Sequence, residues 1–470
     1  MSNPSTPKKV GFIVYFIGFT AALAGLLFGL DVGVISGAQH FIEQDFKIGD
    51  KQIEIIVSAL LWGAVFGTLI SGVLSSNFGR RRTILVSAVI FVLGSLACSM
   101  AHNEHALIIS RFFLGIAVGV ASFTAPLYLS EIAPRTVRGS MISMYQLMIT
   151  IGIVLAFLSD TWLASYATFG GVKGGHWRVM LGIISIPAAI MFAGVLFLPE
   201  SPRWLFLKGF KEHAVNVFKR MHLDDAEIAA EVQEIEDSMK IRQNGFQMFL
   251  KNPNFRRAIG LGIGLQVIQQ LTGINVVMYY APKIFALAGF EDVNEQMWGT
   301  VVVGITNVLA TFIAIAFVDK LGRKPIMYAG FLVMGLALLT VGMLFNMDIE
   351  KNPALGYPAI GALLVFIIGF AMSAGPIIWV ICSEIYPLAG RDLGVTCSTA
   401  TNWISNAIVG QTFLTMLATF GGGNTFLLYG GLNALFIVFF VIFVPETKGI
   451  SLEQIERNLM SGRILRKIGR

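Results

Sequence analysis

The chain has 470 residues, 55% of them hydrophobic and only 13% charged, with a mean hydropathy of +0.73 and a formal net charge of +6. A soluble protein carries about 25% charged residues, so this composition excludes a soluble globular enzyme and specifies a polytopic membrane protein. The basic excess is not a nucleic-acid signature, because the basic residues are distributed by membrane side.

Each crossing needs about 20 mainly apolar residues. Spans are predicted near 12–37, 53–76, 84–101, 106–129, 140–160 and 179–198, then near 256–286, 297–318, 326–345, 357–381, 393–418 and 425–444. No cleavable signal peptide is expected, since Lys8 and Lys9 precede an apolar run too long for a signal. Cys98, Cys382 and Cys397 lie in or beside apolar runs and read as packing residues, neither a disulfide set nor a metal site. No HExxH, GxSxG or CxxC element occurs, and Gly260–Gly264 has no strand before it, so no enzyme, nucleotide, metal or cofactor site is expected.

Residues 1–200 and 254–446 thus form two halves with six spans each. Between them, 201–253 reads as a charged linker with short amphipathic helices around Glu212–Arg220 and Ala226–Ile241, and 447–470 is a tail. Lys and Arg gather at alternate loops: Arg80–Arg82, Arg135/Arg138, the linker, Lys320/Arg323/Lys324, Arg391 and the tail. The other loops are acidic or nearly neutral, apart from Lys173 and Arg178. By the positive-inside rule both termini face the cytoplasm, which twelve spans satisfy.

The halves also repeat. SSNFGRRR (Ser75–Arg82) recurs as FVDKLGRK (Phe317–Lys324), LSEIAPRTVRG (Leu129–Gly139) as CSEIYPLAGRD (Cys382–Asp392), and FLPESP (Phe197–Pro202) as FVPETK (Phe443–Lys448). Three charged motifs in one order and register mark a duplicated six-helix unit, the construction of secondary transporters with a site between the repeats.

Two intramembrane charges stand out. Asp31 sits inside LAGLLFGLDVGVISG (Leu23–Gly37), and Arg111, in IISRFFLGIAVG, reads as the other charge within an apolar helix. A charge at membrane depth is costly unless paired or facing a wet cavity, and usually marks a pathway. The bland alternatives are a helix-end acid at the headgroups for Asp31 and a membrane-end anchor near His105 for Arg111. Burial favours the neutral acid and a nearby arginine the carboxylate; that competition allows a proton switch.

The seventh span, GLQVIQQLTGINVVMYY, places Gln266, Gln269 and Gln270 at i, i+3, i+4, on one side of a helix. Amides there either bind a polyhydroxylated ligand or join helices. Thr272-Gly273 loosens the helix, and Pro376 interrupts the tenth span.

The paired GR(R/K) loops and SEI-Pro segments, PESPRWL, QQLTGIN and PETKG resemble the sugar porter family of the major facilitator superfamily, over roughly residues 12–460. The resemblance implies an all-α fold of twelve transmembrane helices in two pseudo-symmetric bundles, rocking around a central sugar site without ATP. It favours proton-coupled uptake of galactose or a related hexose across the inner membrane by a monomer, with arabinose or xylose symport, or passive facilitation, as alternatives. Residue by residue it assigns Asp31 and Arg111 to the proton, and Phe28, Gln146, Gln269, Gln270, Asn275, Asn307, Gly375, Trp379, Asn402 and Trp403 to the sugar. Trp379 and Trp403 fit equally as core aromatics. Tyr279 and Pro376 are assigned to a gate.

A charge network at the cytoplasmic ends is assigned to Arg80, Glu131, Arg138, Glu200, Asp319, Arg323, Glu384, Arg391 and Glu446, with positive-inside decoration as the alternative. Two departures bear on it. Ser76 stands where the family usually has Asp, which points to the stronger lock in the second half, and Ala371 stands where mammalian glucose facilitators have Glu.

Overall fold

The computed structural model describes residues 12–133, 138–165, 176–221, 225–240, 245–347 and 352–469, and among these all regular structure is helical. In the first half, α1 (Phe12–Phe46), α2 (Asp50–Phe78), α3 (Arg80–Ser99), α4 (Glu104–Ile132) and α5 (Arg138–Ala164) are followed by the pair α6 (His176–Gly182) and α7 (Ser185–Phe197). The linker carries α8 (Pro202–Leu207), α9 (Lys211–Arg220), α10 (Asp225–Lys240) and α11 (Gly245–Lys251). The second half comprises α12 (Pro253–Leu271), α13 (Ile274–Leu287), α14 (Val293–Leu321), α15 (Arg323–Phe345), α16 (Gly356–Met372), α17 (Ala374–Ile385), α18 (Arg391–Phe420) and α19 (Gly422–Phe443), with α20 (Leu452–Met460) in the tail.

Helices are what this composition demands, because a segment in lipid must satisfy its own backbone hydrogen bonds. Among the described residues, 11 helices or helix pairs are long and apolar enough to cross a membrane. The 30-residue α18 accompanies them but is interrupted by Thr, Asn and Gln. Side chains such as Phe197, 79% exposed, and Leu93, 62% exposed, point outward; that surface is stable only against acyl chains.

The breaks fall near the expected places. Gly273 adopts φ 94° between α12 and α13, a conformation open to glycine. The tenth span breaks at Ser373, with Pro376 in the first turn of α17, where its missing N–H costs nothing. A second kink at Tyr280 (φ −118°, ψ 21°) precedes Pro282 and was not expected. The first span runs past its predicted end at 37 to Phe46, leaving only 47–49 before α2. Helical bonding continues through its polar end.

A glycine stripe fixes the packing of α1 on α5. Gly25, Gly29, Gly33 and Gly37 recur every four residues, and a Cβ on each would meet Tyr145, Ile149, Ala156 and Asp160 within 2.5 Å. Small residues at this spacing let membrane helices approach to backbone contact. The first-half helices pack with one another, as do those of the second, and the halves meet along α2–α18, α5–α14 and α1–α13. In the linker, α9 buries Ala214, Val217 and Phe218.

Gly29→Ala places a methyl 2.0 Å from the Ile149 carbonyl oxygen, so α1 must move off α5. Overpacking of this kind costs about 1–3 kcal/mol. Thermal unfolding in detergent is expected to show a lower midpoint for this variant and none for Gly72→Ala, where nothing lies within 4 Å of the added atom.

Candidate functional site

Asp31 on α1 and Arg111 on α4 are both buried, with Arg111 Nη2 3.6 Å from Asp31 Oδ2. Arg111 Nε donates to the Ile56 carbonyl of α2 at 2.8 Å. Among the described residues neither Asp31 oxygen accepts a hydrogen bond, nor does Arg111 Nη1 donate one. Both charges therefore face protein groups rather than an exposed helix end. Arg111 is not the only other charge in an apolar helix: Asp160 on α5 is 1% exposed and lies against Gly37. Sequence reading missed it because it closes a span, where an acid normally reads as a loop residue.

Phe28, three residues before Asp31, packs edge-on against Trp403 of α18, with ring centroids 5.2 Å apart. This contact joins the acid's surroundings to the amides of the second half. Asn402 Nδ2 donates to Gln266 Oε1 at 2.7 Å and to Gln269 Oε1 at 2.8 Å. Gln269 Nε2 donates to the carbonyls of Ala374 and Gly375, at 2.8 and 3.1 Å, bridging α12 to the start of α17. Asn275 Nδ2 donates to Gln270 Oε1 at 2.5 Å. The three glutamines are buried, so they face protein rather than lipid.

The other expected ligands are less closely gathered. Asn307 is buried on α14, Gln146 is exposed on α5, and Trp379 is 38% exposed on α17. Trp403, by contrast, is buried.

At the end opposite Gly79 and Gly322, the halves are clasped together. Gln39 Nε2 donates to the Tyr279 carbonyl at 2.6 Å, and Tyr279, itself buried, hydrogen-bonds Asn406 through its hydroxyl. Trp62 Nε1 donates to Gln411 Oε1 at 3.0 Å. Glu54 accepts from the backbone N–H and the hydroxyl of Thr415, at 2.7 and 2.6 Å. Lys283 of α13 reaches both Glu43 and Asp50 at 2.5 Å. Of these residues only Tyr279 was singled out beforehand. The rest are polar groups in otherwise apolar helix ends, a signal visible in the sequence but easily read as loop. Arg178 pairs with Asp45 at 2.6 Å at the same end.

At the other end the repeated motifs build the same device twice. Gly79 (φ 96°, ψ 162°) and Gly322 (φ 92°, ψ 159°) turn the chain identically into α3 and α15. Glu200 accepts the N–H groups of Arg80 and Arg81, and Glu446 those of Arg323 and Lys324, at 2.8–3.1 Å. Each carboxylate caps a helix N-terminus, where negative charge is favoured.

Arg80 bonds Glu131 through two nitrogens, at 2.7 and 2.8 Å, and Ser201 Oγ adds 2.6 Å to the same carboxylate. Arg323 reaches Glu384 at 3.0 Å. Among the described side chains the doubly bonded pair lies in the first half; the expectation from Ser76 turns on Asp319, whose side chain is not among them. Arg391 does not join the Arg323–Glu384 pair; its Nη2 lies 3.4 Å from the Tyr386 carbonyl. The side chains of Arg138 and Asp319 lie outside the described residues.

The family model described as "Sugar (and other) transporter" matches residues 17–459. The chain is 57% identical to the galactose-proton symporter of Escherichia coli K12 over 97% of both chains. It is 49% identical to the arabinose-proton symporter of the same strain, over 97% of this chain and 95% of that one. Among solved structures, the partially occluded inward-open xylose transporter XylE from E. coli is similar at TM-score 0.82 and 30% identity, covering 93% of this chain and 99% of the other. XylE bound to 6-bromo-6-deoxy-D-glucose is similar at TM-score 0.80 and 31% identity, covering 94% and 98%.

Partial burial pushes the Glu446 carboxyl up, but N–H donation from Lys324, Lys448 and Arg323 and the charge of Arg323 outweigh it, so the group lies below its usual 4.5. A depressed folded value stabilises the fold above pH 4.5, and that stabilisation is lost as pH falls toward the folded value. Thermal midpoints measured from pH 7 to 4 should fall less steeply below pH 4.5 for Glu446→Gln than for the unaltered chain.

Proposed function

Because the chain belongs to the sugar (and other) transporter family, whose members act by transport rather than catalysis, we propose that it carries a monosaccharide into the cell in symport with a proton, by alternating access. The observation that carries this reading is Asp31, a carboxyl sealed from water, 3.6 Å from its arginine and one helical turn from an aromatic that touches the opposite half. Aromatic and amide groups together suit a sugar, whose C–H faces pack on rings while its hydroxyls donate and accept.

In this reading the sugar is held by Gln146, Gln269, Gln270, Asn275 and Asn307, by the Gly375 segment and Asn402, and against Phe28, Trp379 and Trp403. Tyr279 closes the outer mouth and Pro376 gives the tenth span its hinge. The basic motif end faces the cytoplasm with both termini, in a twelve-span monomer of the inner membrane. The network of Arg80, Glu131, Arg138, Glu200, Asp319, Arg323, Glu384, Arg391 and Glu446 steadies that end. Galactose is the favoured sugar, supported by the 57% identity to a galactose-proton symporter.

Proton entry neutralises Asp31 and relaxes its hold on Arg111, changing which arrangement of the halves is favoured; a ligand shifts such an equilibrium only by its differential affinity for the two states. The driving force is ample. A potential of 100 mV is worth about 2.3 kcal/mol per charge, enough for roughly a fifty-fold sugar gradient.

Asp31→Asn removes the exchangeable proton while keeping the shape. In proteoliposomes with an imposed proton gradient, accumulation of labelled galactose should fall to the equilibrium level, while sugar exchange without a gradient survives in part. Unchanged accumulation in this variant, or uptake without alkalinisation of the medium by the unaltered chain, rejects symport in favour of passive facilitation.

A further inference from the structure

The tail does not hang free of the membrane domain. Ile468 is fully buried, and its carbonyl accepts a hydrogen bond from Asn458 Nδ2 at 2.8 Å. The backbone of Gly469 lies against the Glu446 carbonyl, so closely that a Cβ there would clash. The short 3-10 turn Leu465–Lys467 is thereby held against the end of α19, with Arg466 Nη1 3.5 Å from the Val441 carbonyl.

This docking closes a cavity of about 200 Å³ lined by Lys324, Tyr328, Val441, Glu446, Arg466 and Lys467. Three cations from two places in the chain, Lys324 and the adjacent Arg466 and Lys467, converge on it, and among the described residues none of them is in an ion pair. The one acid on its wall is already committed. Both Glu446 oxygens accept backbone N–H groups at the start of α15.

The position of the cavity names its occupant. Lys324 stands one residue inside the start of α15, and Val441 two residues before the end of α19, so the cavity lies at the edge of the membrane-spanning layer. Directly beyond it the lipid-facing side of α19 is apolar, with Val441, Ile442 and Phe443 all more than 40% exposed. Ile464, beside the turn, is exposed as well. Cations above an apolar wall match a phosphodiester attached to an acyl chain, whereas a soluble anion would gain nothing from the wall. Basic pockets of this kind, at the boundary between spans, hold anionic lipid headgroups.

We infer that the α15–α19–tail cavity is a binding site for the phosphate headgroup of an anionic glycerophospholipid, clamped by Lys324, Arg466 and Lys467. The site is separate from the sugar and proton residues, so it stands or falls independently of the transport reading.

The test uses the full chain purified in uncharged detergent, with binding of phosphatidylglycerol titrated by native mass spectrometry. Phosphatidylcholine and inorganic phosphate serve as the other two arms. Phosphatidylglycerol should bind selectively, and Arg466→Ala/Lys467→Ala should weaken it by about ten-fold or more, while Arg466→Lys/Lys467→Arg retains it. Lys324→Gln, which removes the third cation from a different helix, should weaken it in the same direction. The lipid-free thermal midpoint reports that each variant is folded. Equal phosphatidylglycerol binding by the double alanine variant overturns the site. So does equal binding of phosphatidylcholine, or displacement of the lipid by millimolar inorganic phosphate.

Discussion

An acid and a base share a space from which water is excluded, and most of the first half is arranged to make that tolerable. Neither charge could be buried alone at this depth without a large cost. Asp31 makes a single 3.6 Å contact, whereas Arg111 is tied separately to the Ile56 carbonyl. The arginine therefore keeps one bond that does not depend on the charge of the acid. Ile56 is two residues from Glu54, whose carboxylate holds Thr415 of the opposite half. The partner of the acid and the clasp between the halves thus hang on the same turn of α2.

The opposite face of α1 is given over to backbone contact. Its four glycines let α5 approach until the Tyr145 and Ile149 carbonyl oxygens and the Ala156 and Asp160 side chains fill the space of the missing side chains. This leaves the remaining faces of the helix for chemistry: Asp31 toward Arg111, Phe28 toward Trp403, and Gln39 toward Tyr279. A bulkier residue in the stripe would move all three contacts together, because they ride on one rigid helix. In the second half the corresponding helix is instead broken at Gly273, where Asn433 Nδ2 holds the freed Thr272 carbonyl at 3.2 Å.

Span positions, the duplication and the buried pair were legible because each rests on a periodic or compositional signal. A carboxylate in an apolar run is conspicuous, and so are three charged motifs repeated in register. The motif glycines were legible as repeats, but their shared function was not. Only the structure shows that both turn with φ above 90° and that Glu200 and Glu446 reach back from the last span to cap the helices that follow. The far-end clasp was illegible for another reason. Lys283 is far in sequence from Glu43 and Asp50, as Thr415 is from Glu54, and a polar residue at a helix end has no periodicity to distinguish a partner from a solvated face.

The amide cluster adds a constraint on what a bound sugar must do. An amide nitrogen has two hydrogens, and both on Gln269 are engaged by the Ala374 and Gly375 carbonyls, as both on Asn402 are by Gln266 and Gln269. Within the cluster of Gln269, Gln270, Asn275 and Asn402, the groups free to meet a hydroxyl are the Gln270 nitrogen and the oxygens of Asn275 and Asn402. A hydroxyl that takes a hydrogen from Gln269 has to displace a carbonyl at the junction of α16 and α17. Both carbonyls belong to the first turn of α17, directly after the break at Ser373 (φ −128°, ψ −87°). On the proposed reading, occupancy of the sugar site and the seating of α17 on α12 draw on the same two hydrogen bonds.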